Sequence, residues 1–190
     1  MPNPEKIPRH IFLTGEKKIG KSTLADRALA ALPPLRLGGF RTVKVADRTD
    51  ALGSVYLTPA DCPEPECSDE SRVCLRLPGD EAPLSFPAVF DCLGARILSE
   101  SDGCDLILMD EIGIAEASAP RFCAAVERCL NAPVPVLGVL RLSGDTPLQR
   151  AIRTHPEVLL LTVTKENRGA LAEELPRMLA QRLKQNDTEE

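Results

Sequence analysis

The sequence has no apolar run approaching the ~20 residues that a membrane-spanning helix needs, and its opening, MPNPEKIPRH, lacks the apolar core of a signal peptide. A cytoplasmic protein is expected. Basic charge is also scarce: 23 Lys+Arg against 28 Asp+Glu give a formal net charge of -5. That balance argues against a broad nucleic-acid surface, which works by neutralising phosphates, and leaves room only for a local basic pocket. Histidine occurs twice, at His10 and His155, and there is no C-x-x-C pair, so the common zinc patterns are missing. The 7 cysteines, an odd number scattered along the chain, do not suggest a disulfide framework. Cys92, Cys104, Cys123 and Cys129 fall in apolar segments and read as small buried hydrophobes. Cys62, Cys67 and Cys74 lie in or beside a proline-rich stretch, at a spacing, C-x4-C-x6-C, that fits no common zinc pattern.

What is present is enough for a folded unit. A chain of 190 residues, 43% hydrophobic and 27% charged, is expected to form one domain with its own core. Strand-length apolar runs alternate with longer helical patterns, the signature of an α/β protein built on a largely parallel sheet. Ile11 to Thr14 reads as the first strand and Gly20 to Leu32 as a helix stopped by Pro33-Pro34. Phe40 to Ala46 and Gly53 to Leu57 read as a hairpin across Asp47 to Leu52.

Between Pro59 and Pro87 the pattern weakens, with Pro63, Pro65, Pro78 and Pro83 punctuating a polar and acidic text. This stretch reads as a long excursion or lid within the domain, with room for one short strand at Arg72 to Leu77. Phe86 to Leu98 reads as a helix, and Cys104 to Met109 as a central strand buried on both faces. Pro120 to Leu130 (helix), Val134 to Leu140 (strand), Thr146 to Arg153 (short helix) and Val158 to Val163 (strand) follow. Glu166 to Lys184 reads as a final helix interrupted near Pro176, before a polar tail, QNDTEE.

Chemistry concentrates first in GEKKIGKST, residues Gly15 to Thr23, which matches the phosphate-loop pattern G-x-x-x-x-G-K-[ST] at every fixed position and lies between a strand and a helix, as that pattern requires. In such a loop the backbone N–H groups of Gly15, Glu16, Lys17, Lys18, Ile19, Gly20 and the residues after them, with the positive end of the following helix, hold phosphate oxygens. Lys21 is assigned to the β and γ phosphates, Ser22 to Mg²⁺, and Thr23 closes the motif. Triphosphate chemistry then needs a metal-linked carboxylate and a group that activates water. LILMDE supplies both: Asp110 to hold Mg²⁺ through its water shell, and Glu111 to polarise a water for in-line attack. The bland alternatives are a strand-ending turn residue for Asp110 and a solvated edge carboxylate for Glu111. Arg141, ending the run VPVLGVL, either stabilises charge on the γ phosphate in cis or forms a surface ion pair.

Three stretches together resemble a known family: GEKKIGKST with GGFRT (Gly38 to Thr42), LILMDEIGIAE (Leu106 to Glu116) and TVTKENRGAL (Thr162 to Leu171). In this order they look like the small P-loop nucleoside-triphosphatases, which hydrolyse a broad range of ribo- and deoxyribonucleoside triphosphates to the diphosphate and phosphate. The resemblance runs from about Ile11 into the final helix. It implies a P-loop NTPase fold of the α/β class, a mostly parallel sheet with helices on both faces in the RecA-like arrangement, with an additional strand and a catalytic glutamate. It agrees with the roles given to Asp110 and Glu111. It also puts Asn167 and Arg168, which match the family's Asn-Arg pair, near the nucleotide, with Arg168 against the base, stabilising charge, or in a helix-start salt bridge. Arg41 and Thr42 match a G-F-x-T pattern that is either a structural turn or a substrate contact.

The loop lacks the extra glycines and prolines usual in the family, Ile114-Ala115 replaces a frequent Lys-Met pair, and the Pro59 to Pro87 excursion has no clear counterpart. The reading is therefore a Mg²⁺-dependent, broad-specificity nucleoside-triphosphatase acting on ATP, GTP and other triphosphates, expected to be monomeric, with no membrane or nucleic-acid partner. Two rivals use the same loop. One is a nucleotide or small-molecule kinase, disfavoured because the excursion carries only Arg72 and Arg76 where such kinases have an arginine-rich lid. The other is a nucleotide switch docking a protein partner, although the guanine-reading N-K-x-D motif is missing.

Overall fold

In the computed structural model, which describes residues 7–45, 53–64, 67–76 and 83–189, the chain forms one eight-stranded sheet of order β5-β4-β3-β2-β6-β7-β1-β8. The strands are β1 His10–Gly15, β2 Leu37–Val45, β3 Gly53–Pro59, β4 Arg72–Arg76, β5 Leu84–Ser85, β6 Leu106–Ile112, β7 Val136–Leu140 and β8 Val158–Val163. Neighbours from β2 through β6, β7 and β1 to β8 are parallel, while β3, β4 and β5 extend the β2 edge antiparallel. One strand, β7, separates the strand that carries the phosphate loop from the strand that carries Asp110 and Glu111. That is the additional-strand, RecA-like order expected above.

The alternation within β1 shows why its run is apolar throughout. Ile11 and Leu13 pack on one face with Leu24, Ala28, Leu175 and Leu179, from helices α1 (Lys21–Ala30) and α6 (Arg168–Glu189). Phe12 turns to the other face, against Phe40, Phe90, Phe122 and Ile152. That second layer comprises α2 (Pro87–Val89), a π-helical turn (Phe90–Gly94), α3 (Ala95–Ser99), α4 (Pro120–Asn131) and α5 (Pro147–Thr154). Phe122 meets Phe40 edge-on at 5.4 Å between ring centroids, and Phe90 at 5.3 Å. Each fully buried side chain of this size contributes about 2 to 3 kcal/mol, so both faces of the sheet are held by the hydrophobic effect.

Several expectations are corrected. The proline-rich excursion holds the short strand expected at Arg72 to Leu77, as β4, and a second one, β5, that was not expected; both widen the sheet, with Cys74 facing Val55 and Ser85. The hairpin of β2 and β3 is present, while its turn, Asp47 to Leu52, lies outside the described residues, as do Leu77 and Pro78. The central strand continues beyond Met109 to Ile112. The final helix is not interrupted at Pro176 and continues into the expected polar tail, to Glu189. Pro176 forfeits one backbone hydrogen bond, a cost of about 3 kcal/mol. Burial of Leu171, Leu175 and Leu179 along one stripe offsets it. Of the cysteines read as buried, Cys129 is buried, Cys104 and Cys123 are partly so, and Cys92 is exposed. Phe90, Gly94 and Ile97 occupy the core face of that helical run and turn Cys92 outward.

Candidate active site

Strand β1 ends at Gly15, whose φ of 145 only glycine adopts readily, and a Cβ there would stand 2.5 Å from the Val163 carbonyl oxygen of β8. The loop Glu16 to Gly20 turns back with Lys18 at φ 65 and Gly20 at φ 108, and α1 starts at Lys21. Glu16, Lys17 and Lys18 are exposed, while Ile19 packs beneath them. Lys21 is 7% exposed, and its Nζ donates to the carbonyls of Gly15 (3.0 Å) and Glu16 (2.9 Å). The loop is thus curled around the ammonium group, at the positive end of α1, and forms a concavity suited to an anion.

Ser22, in the first turn of α1, donates from Oγ to Asp110 Oδ1 at 2.9 Å. The register of β6 brings Asp110 opposite Arg41 of β2 and Val139 of β7. Burial pushes the Asp110 carboxyl up to about 6, against the opposing Ser22 hydrogen bond, and the neighbouring Glu111 charge adds to the rise. A hydroxyl and a buried carboxylate in contact, with no ion pair to the carboxylate among the described residues, form an oxygen donor set that fits Mg²⁺. Glu111 is half-buried, and the register slips around it, from Asp110 opposite Val139 to Ile112 opposite Leu140.

Arg141 follows β7 and donates its backbone N–H to the Ile112 carbonyl at 2.9 Å, which fixes it beside the Asp110–Glu111 end of β6. Its own carbonyl accepts from Gln149 Nε2 and Arg153 Nη2. The surface ion pair offered as an alternative for Arg141 is not formed among the described residues. On the other side of the loop, Arg168 lines a cleft with Lys18, Ile19, Gly20, Thr23, Leu24, Arg27, Gly169 and Ala172. Arg168 and Arg141 therefore flank the loop from opposite sides of β1, since β8 and β7 are its two neighbours. Asn167 turns its side chain into the β8–α6 connection: Oδ1 accepts from Thr164 N (2.8 Å) and Nδ2 donates to Thr162 O (2.8 Å).

Two features were not legible beforehand. Arg41 pairs with Asp26 of α1 and donates to Ala60 O at 3.1 Å, tying β2, α1 and the start of the excursion together next to Asp110. Glu116 is only 5% exposed, and burial pushes its carboxyl up to about 7. It stands inside the motif LILMDEIGIAE, but nothing in a string of letters distinguishes a buried glutamate from a solvated one. In β4 the half-buried Cys74 thiol is pushed up by burial, against the lowering effect of the charges of Arg76, Arg141, Lys44 and Lys17.

Comparison with known proteins agrees with this geometry. A protein-family model described as NTPase matches residues 10–176. The chain is 30% identical over 180 residues to the nucleoside-triphosphatase THEP1 of Methanosarcina acetivorans, covering 91% of this chain and 98% of that protein. It is 31% identical over 184 residues to the cancer-related nucleoside-triphosphatase homolog of Bos taurus, covering 89% and 95%. Among solved structures, THEP1 from Aquifex aeolicus superposes with a TM-score of 0.70 at 24% identity, over 90% of this chain and 98% of that one, a likeness of fold. Phosphate loop, intervening strand, acidic strand end and family match converge: the chain belongs to the NTPase family of P-loop nucleoside-triphosphatases.

Proposed function

We propose that the protein hydrolyses nucleoside 5′-triphosphates, with little discrimination among bases, to the diphosphate and phosphate, and that it does so with Mg²⁺. The observation that carries the reading is the contact of Ser22 Oγ with the buried Asp110 carboxylate, one residue from Lys21 on one side and from Glu111 on the other. Ser22 and Asp110 would hold Mg²⁺, which when bound neutralises phosphate charge. The loop N–H groups and Lys21 bind the phosphates. Glu111, half-buried at the strand end, orients a water and takes its proton as it attacks the γ phosphorus in line. Arg141 stabilises the charge that develops on the γ phosphoryl oxygens. The Arg168 side of the loop takes the nucleoside. Its guanidinium, with Arg27 and the apolar Ile19 and Ala172, offers stacking that every base can accept, which is the support for broad specificity.

The test is phosphate release from ATP, GTP, CTP, UTP and dTTP with Mg²⁺ and no added acceptor, comparing the wild type with Glu111→Gln. Release from several nucleotides is expected, falling on the order of 10²-fold in the variant with nucleotide affinity kept, the size of a lost general base. Near-normal turnover in Glu111→Gln would remove Glu111 from the mechanism. Tight binding without release in the wild type would point to a kinase lacking its acceptor or to a switch.

A further inference from the structure

Glu116 has no part in the reaction as described, yet its position is costly. It sits in the 3-10 turn Ala115–Ser118 between β6 and α4, 5% exposed, and its Oε2 makes no hydrogen bond. A buried acceptor left unpartnered costs on the order of 1 to 3 kcal/mol, so folding stability alone does not account for a glutamate there. The turn is pinned: Ala119 N and Cys123 Sγ both donate to the Glu116 carbonyl, at 2.9 and 3.4 Å. The titratable groups whose charges act on the carboxyl are Glu111 of β6, Arg141 beyond β7 and Cys123 of α4.

Gly113 separates the carboxyl from the arginine. A Cβ built on it would lie 3.4 Å from Glu116 Oε2, 3.6 Å from Arg141 Cδ and 3.7 Å from Arg141 Nη1. Carboxyl and guanidinium therefore border one small space, without being close enough to form an ion pair. The Arg141 backbone is held by Ile112, Gln149 and Arg153, so that only its side chain is free to turn, and its guanidinium makes no hydrogen bond or ion pair among the described residues.

We propose that Glu116 is the positioning residue for Arg141: with a triphosphate bound, Glu116 Oε2 accepts a hydrogen bond from the Arg141 guanidinium across Gly113 and sets its plane toward the γ phosphate. This rests on the reading of Arg141 as the charge-stabilising group. A guanidinium presents donors in a fixed planar fork, so a carboxylate on one edge orients the opposite edge. Pairing also relieves the buried acid, which ionises beside the cation as its proton passes to water. Without Glu116 the arginine still reaches the phosphate, but from many orientations, which weakens transition-state stabilisation more than binding.

The experiment is a double-mutant cycle in kcat and KM for Mg²⁺ and the best nucleotide of the panel, with wild type, Glu116→Gln, Arg141→Ala and the double variant. Glu116→Gln should lower kcat about tenfold with KM within about twofold, the size of effect seen when a supporting partner of a site residue is removed. In the Arg141→Ala background the same substitution should change kcat less than about twofold, because its effect travels through that arginine. Equal losses in both backgrounds, or an unchanged kcat in Glu116→Gln, would overturn the proposal. Gly113→Ala, whose added methyl meets only ordinary contact distances, gives an independent check: it should lower kcat by separating the pair, and wild-type kcat would count against the idea. No phosphate release by the wild type would sink the hydrolytic reading itself. Hydrolysis with independent Glu116 and Arg141 effects sinks only the positioning role.

Discussion

At the scale of the residue, the two most informative titratable side chains do opposite things with burial. Glu116 is held in a place where its charge is unwelcome, near Glu111 and Arg141. His10 is held neutral for structure: Nε2 lies 2.9 Å from the Leu130 carbonyl, and Nδ1 accepts from Val136 N at 3.1 Å. Only the neutral ring, protonated on Nε2, satisfies both partners. Burial accordingly lowers its pKa from 6.5 to about 4, with His155 and Arg9 adding repulsion. The folded state therefore binds fewer protons than the unfolded chain between pH 6.5 and 4, so the stability His10 provides is present above pH 6.5 and lost as the pH falls toward 4. Against a non-titrating His10→Asn variant, denaturant unfolding should show the advantage of the wild type shrinking by up to about 3 kcal/mol over that window. A difference independent of pH would remove the neutral histidine from this role. The sequence marks His10 only as one of two histidines far apart; its partners are 120 and 126 positions away, which no local pattern reveals.

At the scale of the element, the site depends on how closely β2 and β6 approach. Gly39 has φ 88, and a Cβ there would fall 2.0 Å from the Leu108 carbonyl oxygen, a backbone atom that cannot step aside. Gly39 N also donates to Ser101 Oγ at 2.9 Å, and its carbonyl accepts from Ala60 N. Gly39→Ala should therefore destabilise by on the order of 3 kcal/mol or more, read as a lowered unfolding midpoint, because both the left-handed conformation and the close approach are lost. An unchanged midpoint would show that β2 can shift without consequence for Asp110, which faces Arg41 two residues further along. The helices were more legible than this contact. Thr146 and Gln149 form a capping box at α5, with Pro147 in the first turn, a signature carried by neighbouring letters. Pro176 misled for the complementary reason: proline's local preference is plain in sequence, while the leucine stripe that overrides it is a tertiary fact.

At the scale of the whole molecule, ligand binding is coupled to folding. The loop after β1, the first turn of α1 and the end of β6 come from separate parts of the chain, and only the folded state assembles them. A non-hydrolysable triphosphate with Mg²⁺ at about 100 times its dissociation constant should stabilise the fold by about 2.7 kcal/mol. For a chain of this size that is a rise in Tm of about 5 to 11 °C. Lys21→Ala should abolish the shift when each protein is compared with its own ligand-free Tm; an equal shift in both would dismiss Lys21 as a phosphate ligand. Among the described residues no helix is long and apolar enough to cross a membrane.

The sequence by itself determined the phosphate loop, the acidic strand end and the α/β alternation, because each is encoded by residues adjacent in the chain: glycines for unusual φ, a lysine and a hydroxyl opening a helix, carboxylates closing an apolar run. Tertiary structure alone decided that β7 stands between the two motif strands and that the proline-rich excursion adds strands to the sheet. It alone turned Arg168 and Arg141 to opposite sides of the loop and buried Glu116 Oε2 without a hydrogen bond beside the acidic end of β6. Those outcomes depend on pairings between residues tens of positions apart, and on which carboxylate is desolvated. Both are set by packing the two faces of the sheet, and neither is written in local spacing.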